Sequence, residues 1–241
     1  MKIVVLNGSP KGKSSSTNIM ASAFLKGAQE AGAETINIFL AEKEIKHCRG
    51  CFCCWFKTPG KCVIKDDMAE VISRLEGVDV LVLATPLYFD NISGILKNFM
   101  DRSIVVGNPH FQKDPNGECR HLKNEEKPSP KLILMSNCGF PERSHFQVIS
   151  HWVKRAALNM HTEVIGEIYT TQGGLLSAEI EALKPITSNY LQHLEKAGKE
   201  IVVEMKISAE TEQVLAQNFI PDEIYIQESN AWMTEMLSAI K

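Results

Sequence analysis

Five of the seven cysteines fall in one short stretch, Cys48-Arg49-Gly50-Cys51-Phe52-Cys53-Cys54-Trp55 followed by Lys57-Thr58-Pro59-Gly60-Lys61-Cys62. Within it Cys48, Cys51, Cys54 and Cys62 advance by three residues twice and then close after a longer gap. Three thiolates at such steps can surround one face of a 4Fe-4S cubane, and the fourth completes the ligand set. Structural zinc usually draws on two cysteine pairs set well apart, so this tight grouping suits it less well. A redox pair, Cys48 with Cys51, and a thiol-rich loop without metal are the other readings.

A second stretch able to do chemistry runs Leu6-Asn7-Gly8-Ser9-Pro10-Lys11-Gly12-Lys13-Ser14-Ser15-Ser16-Thr17-Asn18. An apolar run precedes it, and helical periodicity (Met20, Phe24, Ala28, Ala31) follows it. Such a strand–loop–helix junction aims backbone N–H groups and the positive end of a helix dipole at one point, which suits a phosphate. Only three residues separate Gly8 from Gly12-Lys13-Ser14, one fewer than a nucleoside-triphosphate loop requires. The dinucleotide fingerprint G-x-G-x-x-G is also absent. The hydroxyls and lysines exceed what a helix cap needs, and they fit a loop that wraps a terminal monophosphate without metal.

These two stretches must be positioned by the rest of the chain. Five β-rich runs are predicted: Lys2–Asn7, Glu34–Leu40, Val78–Thr85, Lys131–Ser136 and Thr162–Tyr169. The first, third and fourth are nearly continuous apolar runs, as in parallel strands covered on both faces. Helical segments alternate with them at Thr17–Ala31, Asp67–Leu75, Ile92–Asp101 and His145–Met160. The pattern predicts an α/β fold, a doubly wound five-stranded parallel sheet in the flavodoxin-like order 2-1-3-4-5 with helices on both faces. Ligands of such sheets sit beyond the carboxyl ends of the strands, so the loops after strands one, three and four should meet. The loop after strand three, Pro86-Leu87-Tyr88-Phe89-Asp90-Asn91, has a fixed turn and two flat aromatic faces for an aromatic ligand. Core packing is the competing reading for Tyr88 and Phe89. The loop after strand four supplies Asn137-Cys138-Gly139-Phe140-Pro141-Glu142.

Composition narrows the classes further. Apolar residues make up 44% and charged residues 23%, and the net charge of −3 points to neither a nucleic-acid nor a membrane-surface partner. No apolar run reaches membrane-spanning length, and the first residues form a strand without a secretory h-region. We therefore expect a cytoplasmic protein whose cysteines are reduced thiols or metal ligands. The expected main domain spans 1–205, with a cysteine loop at 47–65. A polar insertion at 105–130 reads as a lid or interface segment. Its His110, Cys119 and His121 read as solvated loop, and His145 and His151 as structural. A helical extension at 206–241 carries apolar residues that need cover, which implies a homodimer or homotetramer.

The strand-Asn-Gly-Ser-Pro-Lys start, the Cys48–Cys62 cluster running into Asp66-Asp67-Met68, Pro86-Leu87-Tyr88 and Cys138-Gly139-Phe140-Pro141-Glu142 together resemble the NAD(P)H-dependent FMN reductase family, iron–sulfur flavoprotein branch. The resemblance implies that Ser9, Lys11, Ser14, Ser16, Thr17 and Asn18 hold an FMN phosphate. It places Pro86, Leu87, Tyr88, Phe89 and Asn91 along the flavin ring, with Asn137 and Gly139 on the other edge. It matches Cys48, Cys51, Cys54 and Cys62 to iron–sulfur ligands. The function expected is an FMN-dependent oxidoreductase passing electrons from NAD(P)H or a similar donor to a small-molecule or protein acceptor. A non-enzymatic electron carrier with the same cofactors is the alternative. No side chain stands out as a catalytic acid or base.

Overall fold

Residues 1–123 and 128–240 are described by the structure, a computed structural model. The part of the insertion at 124–127 and the last residue of the extension lie outside the described residues. Strands β1 (Lys2–Asn7), β2 (Glu34–Phe39), β3 (Val80–Pro86), β6 (Lys131–Asn137) and β7 (Val164–Thr170) form one sheet in the order β2-β1-β3-β6-β7. Every neighbouring pair is parallel, with Val4 opposite Leu81 and Leu81 opposite Leu132 across the centre. Counting the sheet strands alone, this is the predicted order 2-1-3-4-5.

The two-residue period of each strand sorts its side chains into two cores. Ile3, Val5, Val80 and Val82 face α1 (Ser16–Glu30) and α6 (Lys184–Glu204), where Phe24, Leu194 and Ile201 cover them. Val4, Leu6, Leu81 and Leu83 face α3 (Met68–Arg74), α4 (Gly94–Arg102) and α5 (Gln147–Asn159), meeting Val71, Phe99 and Ile149. Both faces are therefore buried, which is why the central strands read as unbroken apolar runs.

Two regions depart from expectation. Part of the insertion is an antiparallel hairpin, β4 (Phe111–Lys113) with β5 (Cys119–His121), and so not solvated loop throughout. Asp114 builds its turn, accepting from the amides of Asn116 (2.9 Å) and Glu118 (3.0 Å) and from Arg120 Nε at 2.6 Å. Arg120 is buried, and Trp55 of the cysteine loop packs on His121 with ring centres 5.3 Å apart. In the extension, α7 (Ala209–Leu215) and Phe219 pack against the first core, but no residue of α8 (Asp222–Ala239) is buried. Among the described residues no helix is long and apolar enough to cross a membrane.

Candidate functional site

The loops after β1, β3 and β6 meet at the carboxyl ends of their strands. The first turns at Gly12 (φ +52°) and ends on Ser15, whose hydroxyl accepts from the Asn18 amide at 3.0 Å and caps α1. The amides of Ser16 and Thr17 in the first turn of α1 have no intrahelical acceptor, so they present donors and a positive helix end. Several side chains of this loop are already engaged within it. Ser14 and Ser15 donate to the carbonyls of Lys11 (3.0 Å) and Gly12 (2.7 Å), and the Ser9 hydroxyl accepts from the Lys11 amide at 3.3 Å. Asn18 turns inward, donating to the Lys13 carbonyl at 2.9 Å and accepting from Asn37 at 3.0 Å. Ser16 is half-buried, and Lys11 and Lys13 are exposed.

Cross-links from distant positions hold the three loops together. Ser93 caps α4 and donates to the Gly8 carbonyl at 2.6 Å. The Leu87 amide donates to the Asn137 carbonyl at 2.8 Å, and the Asn137 amide group donates to the Thr17 hydroxyl at 2.8 Å. Gly8 is required here, because a Cβ would stand 2.8 Å from Leu96 Cβ and 3.0 Å from Ser93 Oγ. Sequence reading missed Ser93, although a serine just before an apolar periodic run signals an N-cap.

Beyond Pro86 the chain reverses tightly. Tyr88 and Asn91 exchange backbone hydrogen bonds of 2.9 and 3.0 Å around Phe89 and Asp90, which both have positive φ. This two-residue turn leaves Tyr88 half-exposed and Phe89 fully exposed, so neither packs in the core. His145 reaches Asp90 at 2.9 Å and stacks on exposed Phe140, 4.8 Å between centres, joining the second loop to the third. Tyr225 of α8 donates to the carbonyl of Gly139, and Asn218 donates to that of Pro141 at 3.0 Å. Cys138 beneath this loop is buried, and burial pushes its thiol up to about 11, leaving it inert. At these strand ends the buried Asn7 Nδ2 and Ser136 Oγ have no protein partner. Unspent polar atoms, an open helix start and exposed aromatics fit a phosphate-bearing aromatic cofactor such as FMN.

The cysteine loop forms a second locality. Gly50 (φ +60°) and Phe52 (φ +52°) wind it back on itself before the short helix α2 (Cys53–Phe56). Cys48, Cys51, Cys54 and Cys62 line one cavity together with Arg102. The Cys53 amide and thiol, with Arg49, hold the Cys51 thiol below its usual range, whereas burial pushes Cys54 up. As placed, no three His, Cys, Asp or Glu side chains among the described residues stand close enough to hold a metal ion. Four thiols around one cavity nonetheless have the donor chemistry an iron–sulfur cluster takes.

The sequence profile of NADPH-dependent FMN reductases matches residues 1–117. Residues 1–117 are thus similar to this family. The chain is 40% identical over 103 residues to an iron–sulfur flavoprotein of Methanocaldococcus jannaschii, covering 43% of this chain and 52% of that protein. It is 33% identical over 111 residues to an iron–sulfur flavoprotein of Methanosarcina thermophila, covering 46% and 56%. The chain spans about half the length of the curated relatives it matches. In fold it is similar to an FMN-dependent NADH-azoreductase of Bacillus anthracis solved with FMN (TM-score 0.60, 17% identity, 83% of this chain and 99% of that one). An NAD(P)H:quinone oxidoreductase of Methanothermobacter marburgensis matches similarly (TM-score 0.60, 16% identity, 83% and 96%).

Proposed function

We propose that the chain is an FMN-dependent oxidoreductase that takes electrons from NAD(P)H or a similar donor and passes them to a small-molecule or protein acceptor. The observation that carries this reading is the meeting of three loops around the capped start of α1, within a reductase-family sequence. In this reading the amides of Ser16 and Thr17, with Ser9, Lys11, Ser14 and Asn18, hold the FMN phosphate. Pro86, Leu87, Tyr88, Phe89 and Asn91 flank the ring, and Asn137 and Gly139 border its other edge. FMN supplies hydride acceptance and electron release when bound. The protein's share is to anchor the phosphate, orient the ring and shield it from water. Cys48, Cys51, Cys54 and Cys62 are proposed to hold a 4Fe-4S cluster as a one-electron station.

FMN titrated into apoprotein should bind with altered flavin fluorescence. The variant carrying both Lys11→Ala and Lys13→Ala should bind about tenfold more weakly at low salt and lose that difference at high salt. Apoprotein that ignores FMN would refute the reading. Steady-state oxidation of NADH or NADPH separates an enzyme from an electron carrier with the same cofactor.

A homo-oligomer belongs to the same proposal. Trp232, Met233, Met236 and Leu237 stay exposed on α8, and a symmetric partner would cover them. Light scattering should give a multiple of the 26.9 kDa chain mass, and a monomer would sink this part.

A further inference from the structure

The cavity shared by the four cysteines contains a cation that thiol spacing does not call for. Arg102, at the end of α4, is 1% exposed in its side chain, and its partner Asp66 is 0% exposed. Nη1 and Nη2 donate to the two carboxylate oxygens at 2.7 and 3.1 Å, and Nη1 also donates to the Lys46 carbonyl at 2.8 Å. These bonds satisfy one edge of the guanidinium. The Nε–H, equally buried, has no partner in the protein. An unpaired buried donor forfeits its hydration without return, so a side chain kept in this position normally has an acceptor for it. Arg102 lines the cavity with Cys48, Cys51, Cys54 and Cys62, and Cys62 adds to the field, set mainly by Asp66, that favours the protonated guanidinium.

We infer that Arg102 is a positioning residue for the iron–sulfur cluster: its Nε–H donates to a cluster sulfur and raises the reduction potential of the cluster. The inference rests on the cluster reading proposed above and deepens it. One-electron reduction adds a negative charge to the cluster, and a hydrogen bond to sulfur stabilises that charge. Asp66 offsets the formal charge of the guanidinium, so the effect belongs chiefly to the directed N–H and a plain ammonium cannot replace it. Asp66 holds the guanidinium plane through two bonds, which aims the third donor.

The test compares full-length wild type, Arg102→Lys, and a double variant with Arg102→Gln and Asp66→Asn, each reconstituted anaerobically with FMN, iron and sulfide. Lysine keeps the ion pair and its charge but removes Nε–H. The double variant removes the charges together, leaving neither buried ion alone. Folding is checked by circular dichroism, iron by metal analysis, and potential by a redox titration read by electron paramagnetic resonance. Both variants should retain iron and show an about tenfold lower reduced-to-oxidised ratio at a given potential, equivalent to ~59 mV for a one-electron couple. An unchanged potential in iron-loaded variants overturns the inference and assigns Nε–H to an ordered water. Iron lost from folded variants overturns it too, leaving Arg102 a purely structural role. Wild type that takes up no iron removes the cluster reading and this inference together, and the flavin absorbance of the same sample judges the FMN reading separately.

Discussion

Replacing Asp66 with alanine will cost about 3–5 kcal/mol of stability and unfasten the cysteine loop. The loop leaves the body of the protein near Lys46 and returns at Asp66, and one carboxylate closes that neck. It accepts from the Lys46 amide at 3.0 Å, the Met68 amide at 3.2 Å and both terminal nitrogens of Arg102. Removing it strands the Arg102 charge in a site 1% exposed, which is far more costly than losing a surface pair. The pair also sets an acid limit. Burial alone would raise the Asp66 pKa, but Arg102 and the two amides outweigh it and hold the carboxyl below its usual range. Its folded pKa thus lies below the unfolded value of about 3.9, so its contribution is complete above that value and fades as pH falls below it. Asp66→Asn at neutral pH should resemble acidified wild type and flatten the acid limb of the stability profile. Urea unfolding followed by circular dichroism reads both effects. Equal midpoints for wild type and Asp66→Ala at pH about 7 would rule out this role for the neck.

That neck also marks where sequence reading stops. Clustered cysteines are a local signal, and their spacing alone brings Cys48, Cys51, Cys54 and Cys62 toward one point. Nothing local pairs Asp66 with Arg102, which lie 36 residues apart on either side of β3. The strand order was legible for the same reason as the cysteines: apolar runs buried on both faces are contiguous in sequence. Thr17 with Asn137, 120 residues apart, and Ser93 with Gly8, 85 apart, become visible only after the strands align. The hairpin at Phe111–Lys113 and Cys119–His121 was missed because its strands are three residues long and mostly exposed. Its stability comes from a buried arginine and a packed tryptophan. The link of His145 to Asp90, 55 residues away, is likewise invisible to local pattern.

The second large effect is expected far from both localities, at Gly27. In an exposed helix interior, glycine to alanine would gain about 1 kcal/mol of helix propensity. Here the sign reverses. A Cβ on Gly27 would fall 1.8 Å from the Glu195 carbonyl oxygen, and one on Gly198 would fall 2.0 Å from the Phe24 carbonyl oxygen. The backbones of α1 and α6 touch at this crossing, so no rotamer change relieves the clash and the helices must part. Overpacking that side chains can absorb costs about 1–3 kcal/mol, and this case belongs at or above the upper end. We expect Gly27→Ala to lose about 3 kcal/mol or more and to weaken FMN binding, since α1 begins at the Ser15 cap, where the proposed phosphate loop ends. Gly198→Ala should behave alike, and the double variant should cost much less than the sum, because the first methyl already parts the helices. The Lys26–Glu195 ion pair crosses the same interface with its lysine 59% exposed, so Lys26→Ala is a control expected to change little. Additive losses in the double variant would mean that the two glycines act independently and that α1 and α6 do not meet backbone to backbone.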